Sequence, residues 1–328
     1  MIKKITIIAL ATMITISIMY LFSISVFHLP YQNSEYGYHF DKSMPFDVNK
    51  YTKTIDLADD DKVLLLTDLH YKGNENGLNI DLLDKMITDT NPKLIIIAGD
   101  NCFRYQNYKA YERIVELFDS YKIPWATIFG NHDSYGLANK KSLYDILSKS
   151  EYSLFEYGPN NIGAVGNYII NISNNDKVIH SFLMFDTPGI FGYGMFKLTK
   201  GQIAWYEWAV RGLLNEFDGI KTSIINHVPI NEFNEAYAHG ELISGQKREK
   251  CWTPIMNSGL FERVKSLNST KYIYSGHDHI NDFRVLYQGV EFCYLNKSSY
   301  DNYHDNDMIG CVTIQMTEDS YEISYLFY

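Results

Sequence analysis

Five short apolar runs, at residues 63–67, 94–98, 125–129, 222–225 and 272–275, each stop directly at side chains that bind metal ions. The clusters are Asp68-Leu69-His70, Gly99-Asp100-Asn101, Gly130-Asn131-His132-Asp133, Asn226-His227-Val228-Pro229 and Gly276-His277-Asp278-His279. An apolar run of four to eight residues bounded by turn formers reads as a buried strand. Ligand types from positions this far apart meet only if the strands end at a common edge of one sheet system. The chain therefore reads as an α/β enzyme built around a metal centre.

Between the strands the pattern turns helical. Residues 78–90 and 108–121 carry apolar side chains at helical spacing (Leu82, Leu83, Met86, Ile87; Tyr111, Ile114, Val115, Phe118), and 140–150, 201–217 and 255–267 read as further helices. Runs 152–157, 167–172 and 178–186 have strand character, as do 283–287, 290–295, 308–316 and 321–327 near the end. Two βα halves feeding two sheets, with helices outside, is the architecture implied. The expected organisation is an N-terminal segment 1–30, a stalk and edge segment 31–61, and one catalytic domain 62–328. Residues 230–254 are polar and irregular and leave directly from the His227 cluster. They read either as a cover over the site or as a solvated insertion.

Lys3 and Lys4 precede 23 uncharged positions, 5–27. As a helix that run would be about 34 Å long, enough to span a hydrocarbon core of about 30 Å. Lysines before the run and Glu35 and Asp41 after it place the bulk of the chain outside the cytoplasm. The expectation is a membrane-anchored protein with an extracytoplasmic catalytic domain. Secretion after signal cleavage is the alternative, and the run is long for a signal peptide. A formal charge of −10 argues against a nucleic-acid partner. Cys102, Cys251, Cys293 and Cys311 lack CxxC spacing and read as buried thiols; Cys293 with Cys311 is the pair to test for a disulfide.

Asp68 and His70, two apart at a strand end, are expected on the same side of the pleat, where a carboxylate and an imidazole hold one cation. His277 and His279 repeat that spacing. Gly99, Gly130 and Gly276 precede ligands where the backbone must turn and approach closely. Asp100 has two oxygens and can bridge two cations; Asn131 adds an amide oxygen and His227 another imidazole. A nitrogen and oxygen set without thiolate suits Zn, Fe or Mn. Two such ions activate water and neutralise phosphoryl oxygens. His132 is the candidate general acid, and Asp133 either orients it or caps the next helix. Of the other histidines, His180 reads as a core residue, His239 as a solvated loop residue, and His304 as a candidate for the site rim.

The set DxH, GD, GNHD, H and GHxH, carried by Asp68/His70, Gly99/Asp100, Gly130 to Asp133, His227 and Gly276 to His279, resembles the calcineurin-like metallophosphoesterase superfamily. The resemblance covers residue 62 onward. It implies a four-layer αββα sandwich of two mixed sheets. It also implies one metal held by Asp68, His70, Asp100 and His279, a second held by Asp100, Asn131, His227 and His277, and His132 as acid. Stretches such as Ala98 to Asn101, Pro124-Trp125-Ala126, Asn257-Ser258-Gly259 and Gly276 to Phe283 are most similar to the branch of Dcr2-type phosphatases and plant purple-acid-phosphatase-like proteins. Purple acid phosphatases carry an iron-binding Tyr where this chain has Phe103, so no tyrosinate–iron colour is implied.

The function expected is a two-metal phosphoesterase cutting phosphate mono- or diesters by attack of a metal-bridging hydroxide. Its substrate would be a phosphorylated small molecule, nucleotide or lipid. Hydrolysis of a pyrophosphate linkage in a nucleotide-sugar or lipid head group is the alternative within that chemistry, and a non-catalytic interaction scaffold the alternative outside it.

Overall fold

A computed structural model of the chain describes residues 15, 35–73, 79–103, 106–136, 138–187 and 197–328. Apart from Thr15, the run 5–27 lies outside these residues. No helix among the described residues is long and apolar enough to cross a membrane. In chain order the helices and strands are α1 (Val48–Tyr51), β1 (Thr52–Asp56), β2 (Lys62–Leu66), α2 (Ile80–Thr90), β3 (Leu94–Ile97), α3 (Asn107–Ser120), β4 (Trp125–Thr127), α4 (Lys140–Leu147), β5 (Tyr168–Asn174) and β6 (Lys177–Phe185). Then follow α5 (Lys200–Glu216), β7 (Lys221–Asn226), α6 (Glu232–His239), β8 (Glu241–Ser244), α7 (Leu260–Leu267), β9 (Thr270–Ser275), β10 (Arg284–Tyr287), β11 (Val290–Tyr294), β12 (Gly310–Met316) and β13 (Tyr321–Phe327).

The strands form two mixed sheets. One has eight strands in the order β1-β5-β6-β7-β9-β11-β10-β8, the other five in the order β13-β12-β2-β3-β4. Every apolar residue of β2 and β3 is buried, as expected of parallel strands covered on both faces. In β5 and β6 the pleat sorts side chains between two cores. Ile169, Leu183 and Phe185 join Trp205, Tyr206, Ala209 and Leu213 of α5 in the outer core. Ile170, Ile172, Phe182 and Met184 join the larger core, which also holds β2, β3 and the inner faces of α2, α3 and α4. Helix α5 starts where it does because Thr199 and Gln202 form a reciprocal capping box.

Three expectations change. Residues 152–157 make only an isolated bridge, Trp125 with Ser153, before the chain turns at Gly158. The helix expected over 255–267 begins at Leu260, after Gly259 has taken a left-handed conformation. The segment 230–254 is not a loose insertion: it supplies α6 and the edge strand β8, which pairs antiparallel with β10. All four residues of β8 are exposed, so no burial pattern marked it in the sequence. The four cysteines are free and buried, with Cys293 on the larger sheet and Cys311 on the smaller.

Candidate metal centre

Strands β2, β3, β4, β7 and β9 all end on one side of the molecule, and their following loops hold the expected ligands. Parallel pairing sets this up: Leu66 lies beside Ile97, Ile97 beside Thr127, and Ile225 beside Tyr274. Pairing continues into the loops through Asp68 N to Gly99 O (3.1 Å), His70 N to Asp100 O (2.9 Å) and Tyr71 N to Asn101 O (3.1 Å).

Asp68 and His70 do converge, but not through the pleat. Strand β2 has ended at Leu66, and Asp68 (φ 56°), His70 (φ 50°) and Asp100 (φ 49°) all sit in the left-handed region, as does His277 (φ 86°). A non-glycine residue there costs about 1–2 kcal/mol, so the surrounding bonds must hold it. They do. The Asp68 carbonyl accepts from Lys297 Nζ (2.6 Å) and Ser299 Oγ (2.9 Å), both buried. Gly130 and Gly276 are required by closeness, since a Cβ on the first would overlap the Asp100 carboxylate and one on the second would overlap Thr67 Oγ1.

Two groups of ligand atoms result, each within 4.8 Å internally: Asp68, His70 and His279, and Asp100, His227 and His277. His70, Asp100 and His132 form a third grouping that overlaps both. All of these except His132 and His277 are fully buried, and Asn131 is buried beside them. Each carboxylate uses one oxygen structurally and turns the other inward. Asp68 Oδ2 accepts from Thr67 Oγ1 (2.9 Å) and His277 N (3.0 Å), while Asp100 Oδ1 accepts from His132 N (2.8 Å). Asp100, expected to bridge two cations, turns Oδ2 inward, 3.0 Å from His227 Nε2 and 3.6 Å from His70 Nε2.

The residues fit a pair of cations. Asp68 Oδ1, Asp100 Oδ2 and His227 Nε2 are buried without a hydrogen bond of good geometry, although ligand atoms stand 3.0–3.8 Å apart. His70 Nε2 and His279 Nε2 face each other at 2.9 Å. Outer bonds turn the ligating nitrogens inward: His227 Nδ1 lies 2.8 Å from the Ala98 carbonyl and His279 Nδ1 2.7 Å from that of Tyr303.

Electrostatics agree. Burial pushes His70 and His277 down to about 3, keeping them neutral as ligands must be. Burial also weighs against protonated His227, but the Asp100 and Asp68 carboxylates outweigh it and raise that imidazole to about 9. Both carboxylates are held ionised: burial opposes their charge, and the neighbouring imidazoles, His227 foremost, overcome it. Cation loading must therefore displace the His227 proton. Between about pH 7 and about pH 9 apparent Zn affinity should rise roughly tenfold per pH unit, measured by calorimetric titration; a flat profile would show that loading displaces no proton from His227 in that range.

His132 lies at the mouth, one quarter exposed, with Nε2 3.9 Å from Asp100 Oδ2 and its ring 4.7 Å from that of Phe103. Phe103 also packs against His70, so the position taken by tyrosine in purple acid phosphatases here supports two imidazoles by contact. Asp133 does neither thing expected of it. Its carboxylate accepts from the backbone of Gly130 (2.7 Å) and Cys102 (3.0 Å) and from the Asn101 side chain (3.1 Å), tying two ligand loops together. It is a positioning residue. Burial and the Asp100 charge raise its pKa.

Of the remaining histidines, His180 is buried against Ser223 Oγ (2.7 Å), and His239 ends α6. His304 turns its ring to Asn302 and Asn306, and its neighbour Tyr303 instead reaches the site, stacked on His279 at 4.1 Å. Sequence reasoning missed Tyr303, Lys297 and Ser299. For the latter two a signal existed: Asn296-Lys297-Ser298-Ser299 follows the buried strand β11 as the ligand clusters follow theirs.

A model of the family described as calcineurin-like phosphoesterase matches residues 61–281. The chain is 26% identical over 286 residues to an Arabidopsis thaliana protein named "Probable inactive purple acid phosphatase 14", covering 74% of this chain and 71% of that one. It is 29% identical over 215 residues to "Phosphatase DCR2" of Saccharomyces cerevisiae, covering 58% of this chain and 36% of that one. Among solved structures, a dimetal phosphatase from Danio rerio superposes with a TM-score of 0.53 at 14% identity, covering 81% of this chain and 95% of that one. At that identity the likeness concerns the fold.

Proposed function

The chain belongs to the calcineurin-like phosphoesterase family, and from that premise we propose that it hydrolyses phosphate mono- or diesters at a two-cation centre. One observation carries this reading: two groups of candidate ligands, Asp68/His70/His279 and Asp100/His227/His277, meet around the inward oxygen of Asp100. Asn131, between Gly130 and His132, completes the second group. When bound, two divalent cations lower the pKa of a water and neutralise the phosphoryl oxygens. Mn, Fe and Zn all suit these donors.

The chain's own part is positional. Asp68 and Asp100 supply two negative charges at a fixed spacing, held by the hydrogen bonds to their outer oxygens. His132, partly exposed at the mouth, carries the proton that the leaving oxygen needs. Asp133 keeps the loops of Asp100 and Asn131 in register. Two relatives' names bear on activity in opposite senses, one a phosphatase and one called inactive. Retention here of every histidine and carboxylate of the set supports an active enzyme over a scaffold.

The test is direct. The purified full chain should bind two cations and hydrolyse an activated aryl phosphate, with activity lost to a chelator and restored by Mn, Fe or Zn. Turnover that survives exhaustive chelation would reject the reading. For location, we infer from the run 5–27 that the catalytic domain is tethered at the outer side of a membrane; flotation of the full chain with lipid vesicles, described below, tests the tether.

A further inference from the structure

The three most exposed large apolar side chains among the described residues are Ile255 (82%), Trp252 (70%) and Met256 (63%), within one loop of five positions. Single exposed apolar residues are ordinary; three together mark a contact surface. The loop is firmly pinned. Trp252 N donates to Asp278 Oδ2 (2.9 Å), Asn234 Nδ2 to Cys251 O (2.9 Å), Asn231 Nδ2 to Pro254 O (2.6 Å) and Asn257 Nδ2 to Glu232 Oε1 (2.6 Å). Cys251 and Pro254 point inward and are buried, so the fold itself turns the other three out.

The loop's position is informative. Asp278, which holds Trp252, stands between the ligands His277 and His279, so the apolar cluster borders the mouth of the metal centre. The N-terminal segment enters at the same end of the sheets. Tyr38 bridges Pro159 and its N–H donates to Gly158 O (3.2 Å), Gly166 N donates to Tyr157 O (2.8 Å), and Tyr168 opens β5 beside Met184 near the end of β6. Strand β6 runs parallel to β7, placing Phe185 beside Asn226, the residue before His227. The chain that carries the 5–27 run therefore arrives on the face where the ligands lie. Lys250 is exposed beside the loop, and Lys197 Nζ reaches Asn257 O (3.3 Å), giving the cluster cationic neighbours. An apolar tip with an indole and flanking lysines suits the boundary between lipid head groups and acyl chains.

We propose that Trp252, Ile255 and Met256 form a membrane-contacting loop that seats the mouth of the metal centre against a lipid surface. This rests on the phosphoesterase reading and adds to it a substrate class, phosphate esters presented at a bilayer. Soluble esters still reach the site from bulk solvent.

The chain's other tryptophans, Trp125, Trp205 and Trp208, are buried, so Trp252 is the indole able to meet lipid. The experiment takes the full chain in vesicles of phosphatidylcholine and phosphatidic acid containing a nitroxide-labelled phosphatidylcholine. Wild-type emission should be quenched, and Trp252→Phe should remove most of the quenching. Ile255→Ser with Met256→Ser should weaken it severalfold while leaving hydrolysis of a soluble aryl phosphate unchanged. Equal quenching in wild type and Trp252→Phe, or no quenching in chains that float with the vesicles, overturns the proposal, including the case in which the cluster joins two copies of the chain. Failure to float overturns it through the anchor. Quenching without any aryl phosphate hydrolysis would support the lipid contact while rejecting the catalytic reading, so the two fail separately.

Discussion

Asp100→Asn should strip the chain of cations and activity together. The replacement is nearly isosteric, and the reason lies in which oxygen does what. Asp100 Oδ1 must accept the His132 backbone N–H, so an asparagine there keeps its carbonyl oxygen in that bond. Its NH2 then takes the place of Oδ2 and aims donors at the space between His227 Nε2 and His70 Nε2. The centre loses a charge and gains a donor where an acceptor is needed. Metal affinity and turnover should each fall by about a hundredfold or more, beyond the range for changes outside the ligand set. Elemental analysis and aryl phosphate kinetics on the same preparation read both. Full metal content with full activity would mean that Asp100 is not a ligand.

His132→Ala should separate metal binding from chemistry. Its ring is at the mouth, 3.9 Å from Asp100 Oδ2, while its backbone N–H holds Asp100 Oδ1, so the alanine variant keeps that backbone bond and should keep its cations. What goes is the proton for the leaving group, a loss of about 10²–10⁴-fold. The loss should appear with alkyl phosphates, whose alkoxide leaves poorly, and shrink with a nitrophenyl phosphate, which leaves without help. Equal loss on both substrates would remove His132 from the acid role.

The clustering of Asp68, His70, Asp100, His227, His277 and His279 was legible because strands and donors write a local signal: a buried apolar run, then a turn, then a donor. The helices were legible for a similar reason, with Leu82, Leu83, Met86 and Ile87 recurring at the buried face of α2. What was not legible depends on the chain meeting itself. That Asp68 and His70 converge through left-handed backbone rather than through the pleat is set by Lys297 and Ser299, more than two hundred positions away. Asp133 looked like a partner for its neighbour His132, yet its carboxylate is used by Cys102 and Gly130. Strand β8 is exposed throughout and exists because β10 offers an edge. At 255–260 the apolar residues matched a buried helix face, whereas Gly259 delays the helix and leaves Ile255 and Met256 outside.

Strand β2, which leads to Asp68, lies between β3 and β12. Its first neighbour is made soon after it, but the second is Gly310–Met316, paired as Val312 with Leu65. During synthesis every cation ligand has thus left the ribosome while one side of β2 still lacks a partner. The β12–β13 hairpin closes the smaller sheet like a stave, so the centre reaches its working shape only after residues 310–316 have emerged.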